Sequence, residues 1–336
     1  MSTQKKNTLS LSKVFKNRFG HLRAGWRIFI YIAFVVILSR VVGLFENSLF
    51  IIQGETLSDY ELLWNRFIGK FLQLMCVLIP GIVLLRWVDK RPVALLGIGL
   101  YKGALRELSQ GMLMGFVLII LSVSVLWLTG WGSFSFNGFS TGLLVYLLCV
   151  LGILAISAAY EELLFRGYIF QSLIEGSNFW IALGLFSLLF GAAHLSNKGV
   201  TVFSIAGTII AGVFVGILYF RTRALWMCIG THFVWNWTMG PVFGMGISES
   251  RFLRRSLLTY KPSESFLVHG QDVMSEIVLG MLVLTITIYL WKAKWLKPAE
   301  YNRNLWIHYP PKYGVEPGIV EYTVTQVNRG PEPTEE

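Results

Sequence analysis

Several ionisable side chains lie inside apolar stretches of this sequence. A charged or strongly polar side chain within a hydrocarbon layer is costly unless it is paired, so such residues mark candidate functional sites. They are Glu161, Glu162, Arg166, His194 and His232, and Asn236 follows four positions after His232. Carboxylates and imidazoles are the usual proton-transfer groups of enzymes, so general acid–base chemistry is the first possibility to consider.

Helical geometry gives the two adjacent glutamates different roles. Glu162 and Arg166 are four residues apart, on one helix face and in the order that favours an internal ion pair. Glu161 points about 100° away from Glu162 at 3.6 residues per turn, so it does not share that pairing. Glu161 is therefore the carboxylate that is left for chemistry as a general base.

The polar residues of three different predicted helices lie at similar depths. Counted from the cytoplasmic helix ends at 1.5 Å per residue, Glu161, His194 and His232 lie about 18, 22 and 12 Å deep. The helices can therefore present them to one cavity, which we expect to be reached from the cytosol. His232 and Asn236 share a helix face, which suits two hydrogen-bond donors that converge on one oxygen atom.

Less specific interpretations of these residues remain open. A histidine in a membrane helix often serves only as an interhelical hydrogen-bonding group, and a Glu/Arg pair can simply hold helices together. Two adjacent glutamates followed by an arginine are a costly way to do so, and the matched depths favour an active site. A proton-coupled transporter is an alternative, but it would more readily show repeated halves, which this sequence does not. A non-catalytic scaffold is another.

The polar residues form three motifs with fixed spacing. They read EExxxR from Glu161, FxxxH from Phe190 and HxxxN from His232. In this order they resemble the motifs of the CPBP intramembrane proteases, the family of the CAAX prenyl endopeptidases and of bacteriocin-processing or self-immunity proteins, also called Abi. Each motif alone is weak and the three together are specific. The resemblance covers about residues 142–243.

The resemblance implies a role for each matching residue. Glu161 and His194 would activate a water molecule for attack on a peptide carbonyl, and His232 and Asn236 would stabilise the oxyanion that forms. The Glu/Arg pair of the first motif would hold its helix. A bacteriocin-immunity protein without turnover is the alternative within the same resemblance.

The resemblance does not decide whether the protein uses no cofactor or a Zn²⁺ ion. The family includes members described as metalloproteases and members thought to use a glutamate without metal. Glu161, His194 and His232 could supply a His₂Glu zinc site with one open position. The HExxH motif is absent, and we favour the glutamate base.

The substrate is expected to be a membrane-embedded or lipidated peptide or protein. The eukaryotic branch of the family cleaves after a prenylated cysteine in a C-terminal CaaX sequence. No feature of this sequence distinguishes a prenyl group from another membrane-embedded peptide. Besides its substrate, the expected partner is the lipid bilayer.

The composition indicates the kind of scaffold that must position these residues. Of the 336 residues, 54% are hydrophobic and 14% are charged, against roughly a quarter charged in soluble domains. Together with a mean hydropathy of +0.59, this excludes a water-soluble protein. The net charge of +10 does not indicate nucleic-acid binding, because Lys and Arg concentrate at the borders of apolar runs. Cys76, Cys149 and Cys228 have no metal-type spacing, which argues against a disulfide scaffold or zinc finger.

Eight apolar runs predict an all-α polytopic membrane protein with about eight transmembrane helices and a central intramembrane active-site cavity. The runs are 26–45, 67–87, 111–128, 142–173, 180–195, 200–220, 224–239 and 274–291. The fifth, seventh and eighth are short, so they must tilt little or be sheltered by neighbouring helices. The GxxxG pairs Gly111/Gly115 and Gly212/Gly216 predict close helix packing.

Positive charges beside the runs predict the orientation. Seven Lys and Arg residues lie before or at the start of the first run and acidic residues follow it, so the amino terminus is expected in the cytoplasm. An even number of spans places the carboxyl terminus there too, in what we expect to be a bacterial cell membrane. The exception is the Gly244 to Gln271 loop, which is assigned outside but carries four basic residues.

The remaining segments complete the predicted organisation. Residues 1–25 form a basic amphipathic segment on the inner surface. Residues 26–140 hold the first three helices, 141–243 the protease-like core with helices four to seven, 244–273 a loop and 274–291 the last helix. Residues 292–336 are expected as a loosely folded cytoplasmic tail with a short strand over 322–327.

Overall fold

A computed structural model describes residues 14–16, 22–50, 58–197, 200–247, 253–264, 267–268 and 271–308. Within them the chain is mostly helical, and each of the eight predicted apolar runs forms a helix. Most of the amphipathic segment predicted over residues 1–25 lies outside these described residues, as does the strand predicted over residues 322–327.

The structural elements follow one another along the chain as helices with a few short strands. The helices are α1 Ala24–Phe50, α2 Asp59–Val83, α3 Ala104–Leu128, α4 Thr141–Glu162, α5 Phe170–Gly176, α6 Phe179–Ala193, α7 Val202–Thr222, α8 Trp226–Trp237, α9 Val273–Lys292 and α10 Glu300–His308. π-Helical segments extend three of them: Leu84–Val88 follows α2, Leu163–Ile169 joins α4 to α5, and Thr238–Val242 follows α8. A 3₁₀ turn covers Val93–Leu96. The strands are β1 Gly132–Phe136, β2 Leu258–Pro262, β3 Leu267–Val268 and β4 Gln271–Asp272.

Six helical stretches in the described part of the chain are long and apolar enough to cross a membrane. They are Ala24–Leu44, Asp59–Val88, Ala104–Leu128, Thr141–Gly176, Val202–Thr222 and Val273–Lys292. Helix α6 has 15 residues and α8 has 12, fewer than the roughly 20 that a hydrocarbon core requires. The chain is thus a polytopic all-α membrane protein whose short helices depend on their neighbours.

Helix α8 is sheltered by close packing against α3. A methyl group added to Gly111 would overlap the carbonyl oxygen of Met227, and one added to Gly115 would overlap that of Thr231. Glycine at these two positions therefore lets the two backbones meet, as the first GxxxG pair predicted. This contact fixes the helix that carries two of the candidate site residues.

Polar side chains define where five of the described helices begin. In each case a side-chain oxygen accepts a hydrogen bond from a backbone N–H in the first turn, which satisfies a group that has no partner within the helix. These capping residues are Ser58 for α2, Ser140 for α4, Asn178 for α6, Thr201 for α7 and Asp272 for α9.

One end of the bundle, here named the Arg27 end, is closed by a buried ionic cluster. Arg27 contacts Asp89 at 3.0 Å and Glu175 at 2.5 Å, and Arg91 also pairs with Glu175. The Tyr168 hydroxyl donates to Asp89 at 2.9 Å. The cluster ties the start of α1 to the segments that follow α2 and α4. The sequence analysis treated Arg27 only as one of the positive charges beside the first apolar run. It did not predict this ionic cluster.

The opposite end, here named the Asp59 end, contains a two-stranded sheet. Strands β1 and β2 are antiparallel, with Phe134 opposite Tyr260. Arg254 and Arg255 both contact the Asp59 carboxylate, at 3.3 and 2.6 Å. Two of the four basic residues in the Gly244 to Gln271 loop are therefore paired with acid from the start of α2.

The first part of the carboxyl-terminal tail is packed against the bundle. The buried Asn302 of α10 donates to the Thr222 carbonyl at 3.3 Å, and Tyr301 stacks on Tyr101 with ring centroids 5.3 Å apart. The prediction of a loosely folded tail was therefore wrong for residues 300–308, because α10 covers the ends of α7 and α3. Residues 309–336 lie outside the described residues.

Candidate active site

Five of the six predicted site residues line one cavity of about 500 Å³ in the described structure. Glu161 and Glu162 are the last residues of α4, directly before its π-helical extension. His194 follows the last residue of α6 and caps its carboxyl end. His232 and Asn236 lie one turn apart on α8. The structure thus contains the central cavity that the sequence predicted, with polar residues from three helices.

Arg166 lies behind the cavity wall and forms the predicted ion pair. Its Nη1 atom donates to both carboxylate oxygens of Glu162 at 3.1 Å, and both side chains are fully buried. The guanidinium lies 4.7 Å from the ring centroids of Phe186 and of Phe190. The guanidinium is thus held in place by two aromatic rings and one carboxylate, and it forms a buried ion pair behind the cavity.

Glu162 also binds a histidine, a contact that sequence reasoning missed. The Nδ1 atom of His232 lies 2.8 Å from Oε1 of Glu162. Because the Arg166 pairing keeps that carboxylate an acceptor, Nδ1 is the donor and its proton is fixed. Glu162 therefore orients the ring of His232 in addition to holding its own helix.

Glu161 approaches the same imidazole from the other side. Its Oε2 atom lies 3.7 Å from Nε2 of His232, and its side chain is 18% exposed, against 0% for Glu162. The two glutamates thus differ as helical geometry predicted: one is buried and paired, and the other faces the cavity. His232 lies between them.

His194 is oriented by its own helix. Its Nδ1 atom lies 2.8 Å from the Phe190 carbonyl oxygen. A carbonyl can only accept, so Nδ1 donates and the proton-accepting atom of the neutral ring is Nε2. Phe190 therefore contacts two motifs at once, because its ring packs on Arg166 and its carbonyl fixes His194. The FxxxH spacing was the available signal for this link.

The three residues suggested as zinc ligands lie around the same cavity. Within the described ranges, no three His, Cys, Asp or Glu side chains lie close enough together to hold a metal ion. Nδ1 of His194 and Nδ1 of His232 are both engaged by other groups, which leaves Nε2 of each ring as the atom that could bind a ligand. Glu161, His194 and His232 share the cavity in this arrangement, but they do not form a three-ligand shell.

The far wall of the cavity comes from residues that sequence reasoning did not include. The Tyr260 hydroxyl of β2 donates to Asp272 at 2.7 Å, and Glu276 of α9 accepts from Thr201. Burial and the neighbouring Asp272 carboxylate raise the pKa of the Tyr260 phenol, so the phenol remains a donor. These residues lie within or beside the loop predicted over 244–273, so their position depends on tertiary structure that no local pattern showed.

Comparison with known proteins agrees with the motifs. Residues 140–238 match the family described as type II CAAX prenyl endopeptidase Rce1-like. A relative from Bacillus subtilis (strain 168), named "Putative membrane peptidase YdiL", is 34% identical over 76 residues. That match spans 23% of this chain and 29% of the relative. The family match contains all three motifs and every candidate site residue, so this segment of the chain is similar to the CPBP family.

Proposed function

We propose that the protein is an intramembrane endopeptidase that hydrolyses a peptide bond of a membrane-associated substrate. The observation that carries the proposal is the position of His232 between a buried, arginine-paired glutamate and a glutamate that faces the cavity. If His232 and the ion pair served only to hold the helices together, the buried glutamate alone would be sufficient. A second carboxylate held at the same imidazole, beside a 500 Å³ cavity, is the arrangement of a site for proton transfer.

Water activation is assigned to Glu161 and His194. Glu161 takes a proton from a water molecule in the cavity, while Nε2 of His194 accepts a hydrogen bond from the same water. The resulting hydroxide attacks the peptide carbonyl carbon and forms a tetrahedral intermediate. Glu161 then gives its proton to the leaving nitrogen as the C–N bond breaks. The products are a carboxylic acid and an amine, and transfer of the acid's proton to the amine gives a carboxylate and an ammonium group.

Stabilisation of the oxyanion is assigned to His232 and Asn236. When the His232 ring carries both protons, Nε2 can donate to the oxyanion while Nδ1 donates to Glu162. The Asn236 amide is one helical turn away on the same face. Donors that are fixed before reaction stabilise the charge that develops on the carbonyl oxygen. No step requires a metal ion.

The substrate is a membrane-embedded or lipidated peptide, and its sequence can be found by experiment. Proteomes of cells that contain the wild-type protein and of cells that contain Glu161→Ala should differ in new peptide termini on membrane-associated proteins. A prenylated CaaX sequence is one outcome of that comparison. Identical termini in both strains would instead favour a scaffold, an immunity factor or a transporter.

A further inference from the structure

The walls of the cavity show where it opens. In the described structure it reaches from Phe214 and Val283, near the middle of α7 and α9, to the first turns of both helices. The lining residues outside the helices are His194, Asn197, Val200, Met245, Gly246, Ile247, Tyr260, Pro262 and Asp272. All of them lie on connections at the Asp59 end. The cavity therefore extends from the candidate catalytic residues towards that end.

The opposite direction is closed by packed side chains. Beyond the candidate catalytic residues, towards the Arg27 end, the fully buried Phe170, Tyr219 and Leu225 fill the space between the helices. The ionic cluster around Arg27 and Glu175 lies further along. No described residue of the Arg27-end connections lines the cavity. Cytosolic access was expected from the sequence, and the geometry does not support it if the Arg27 end is cytoplasmic.

The charge distribution assigns the two ends to the two sides of the membrane. Basic residues concentrate on the connections and helix ends at the Arg27 end. They include Arg86, Lys90, Arg91, Lys102, Arg106, Arg221, Arg223, Lys292, Lys294 and Lys297. The described connections at the Asp59 end carry Arg254, Arg255 and Lys261, and the two arginines contact Asp59. An excess of Lys and Arg marks the cytoplasmic side, so the Asp59 end faces outwards.

We propose that the substrate reaches the candidate active site from the extracytoplasmic face of the membrane. The substrate class is then a membrane-anchored or exported chain whose cleaved segment lies at the outer surface. A lipidated tail held at the cytoplasmic leaflet would have no path to Glu161. The identity of the substrate class rests on the proposed peptidase function, whereas the side of access does not.

Single cysteines test the side of access without any need for catalysis. Thr208→Cys places a thiol deep in the cavity, and Met245→Cys places one at its Asp59-end opening. Ser135→Cys, exposed on β1, is the matched control at that end outside the cavity, and Lys294→Cys is the exposed control at the Arg27 end. The background carries Cys149→Ser, because Cys149 is exposed whereas Cys76 and Cys228 are buried.

The measurement is labelling of right-side-out cells with a membrane-impermeant maleimide, before and after permeabilisation. We expect Ser135→Cys, Met245→Cys and Thr208→Cys to be labelled in intact cells and Lys294→Cys only after permeabilisation. Labelling of both cavity cysteines only after permeabilisation would overturn the proposal, and so would failure of both to react in either state. A size-exclusion profile shows whether a cavity variant has failed to fold. If one of the two has, the labelling of the other variant decides the side of access. If the cavity cysteines are labelled from outside but the protein cleaves no substrate, the proposed peptidase function is refuted. The proposed side of access would still hold.

Discussion

The structure predicts that Glu162→Gln destabilises the protein far more than Glu161→Gln. The Glu162 side chain is fully buried and accepts both hydrogen bonds from Arg166 Nη1, as well as the contact with His232. Glutamine keeps the volume and one acceptor but removes the charge. The other contacts of the Arg166 guanidinium are three aromatic rings and the Gly212 carbonyl at 3.5 Å, which are uncharged.

The size of the loss in the free energy of unfolding depends on which charge each substitution leaves unpaired. Removing one partner of a buried ion pair typically costs about 3–5 kcal/mol, because the other charge stays buried without compensation. Glu161 is partly exposed and lies 3.7 Å from His232, so its substitution should cost about 0–1 kcal/mol, as for an exposed pair. The two free energies of unfolding should therefore differ by at least about 2 kcal/mol.

The assay is thermal unfolding of both purified variants in the same detergent. We expect a clearly lower Tm for Glu162→Gln and a near wild-type Tm for Glu161→Gln. The double variant Glu162→Gln with Arg166→Met is the control, because it removes the unpaired cation and should recover part of the loss. Equal Tm values for the two single variants would refute the division of roles. A double variant that is merely additive would refute the ion pair as its cause.

Three further predictions concern turnover, metal and orientation. Asn236→Ala should lower kcat by about 100 to 1000-fold with a much smaller change in KM, because an oxyanion donor acts on the transition state; unchanged kcat would leave Asn236 as a packing residue. Wild-type turnover should survive chelation, and metal content should be the same in wild-type protein and His232→Ala; metal that is bound by the wild type and lost in this variant would make His232 a ligand. Reporter fusions before Met1 and after Glu336 should both indicate the cytoplasm, and a carboxyl terminus labelled in intact cells would show that a helix was miscounted.

Residue spacing within single helices was sufficient to predict part of the candidate active site. The Glu162–Arg166 pair follows from four-residue spacing on a helix, and the different exposure of Glu161 follows from one step of helical rotation. The packing of α3 on α8 was likewise present in the Gly111/Gly115 spacing. Hydropathy was sufficient for the helices, because lipid requires long apolar runs.

Contacts between distant segments could not be predicted from residue spacing or hydropathy. The bond from His232 to Glu162 depends on the relative rotation of α8 and α4, and the stacking of Phe186 on Arg166 depends on the position of α6. Residue counting gave similar depths for the polar groups without showing which end of the cavity is open. Tyr260 enters the site through pairing of β2 with β1, which begins 126 residues earlier in the chain.

The central claim is that Glu161 is the general base, and the turnover of Glu161→Gln tests it most directly. The variant should be measured beside wild type on a membrane peptide identified from the proteomic comparison, in the same lipid and at matched fold stability. General-base catalysis contributes about 10²–10⁴-fold, so we expect kcat to fall at least 100-fold while Tm stays near wild type. Turnover of the folded Glu161→Gln protein at the wild-type rate would contradict the account.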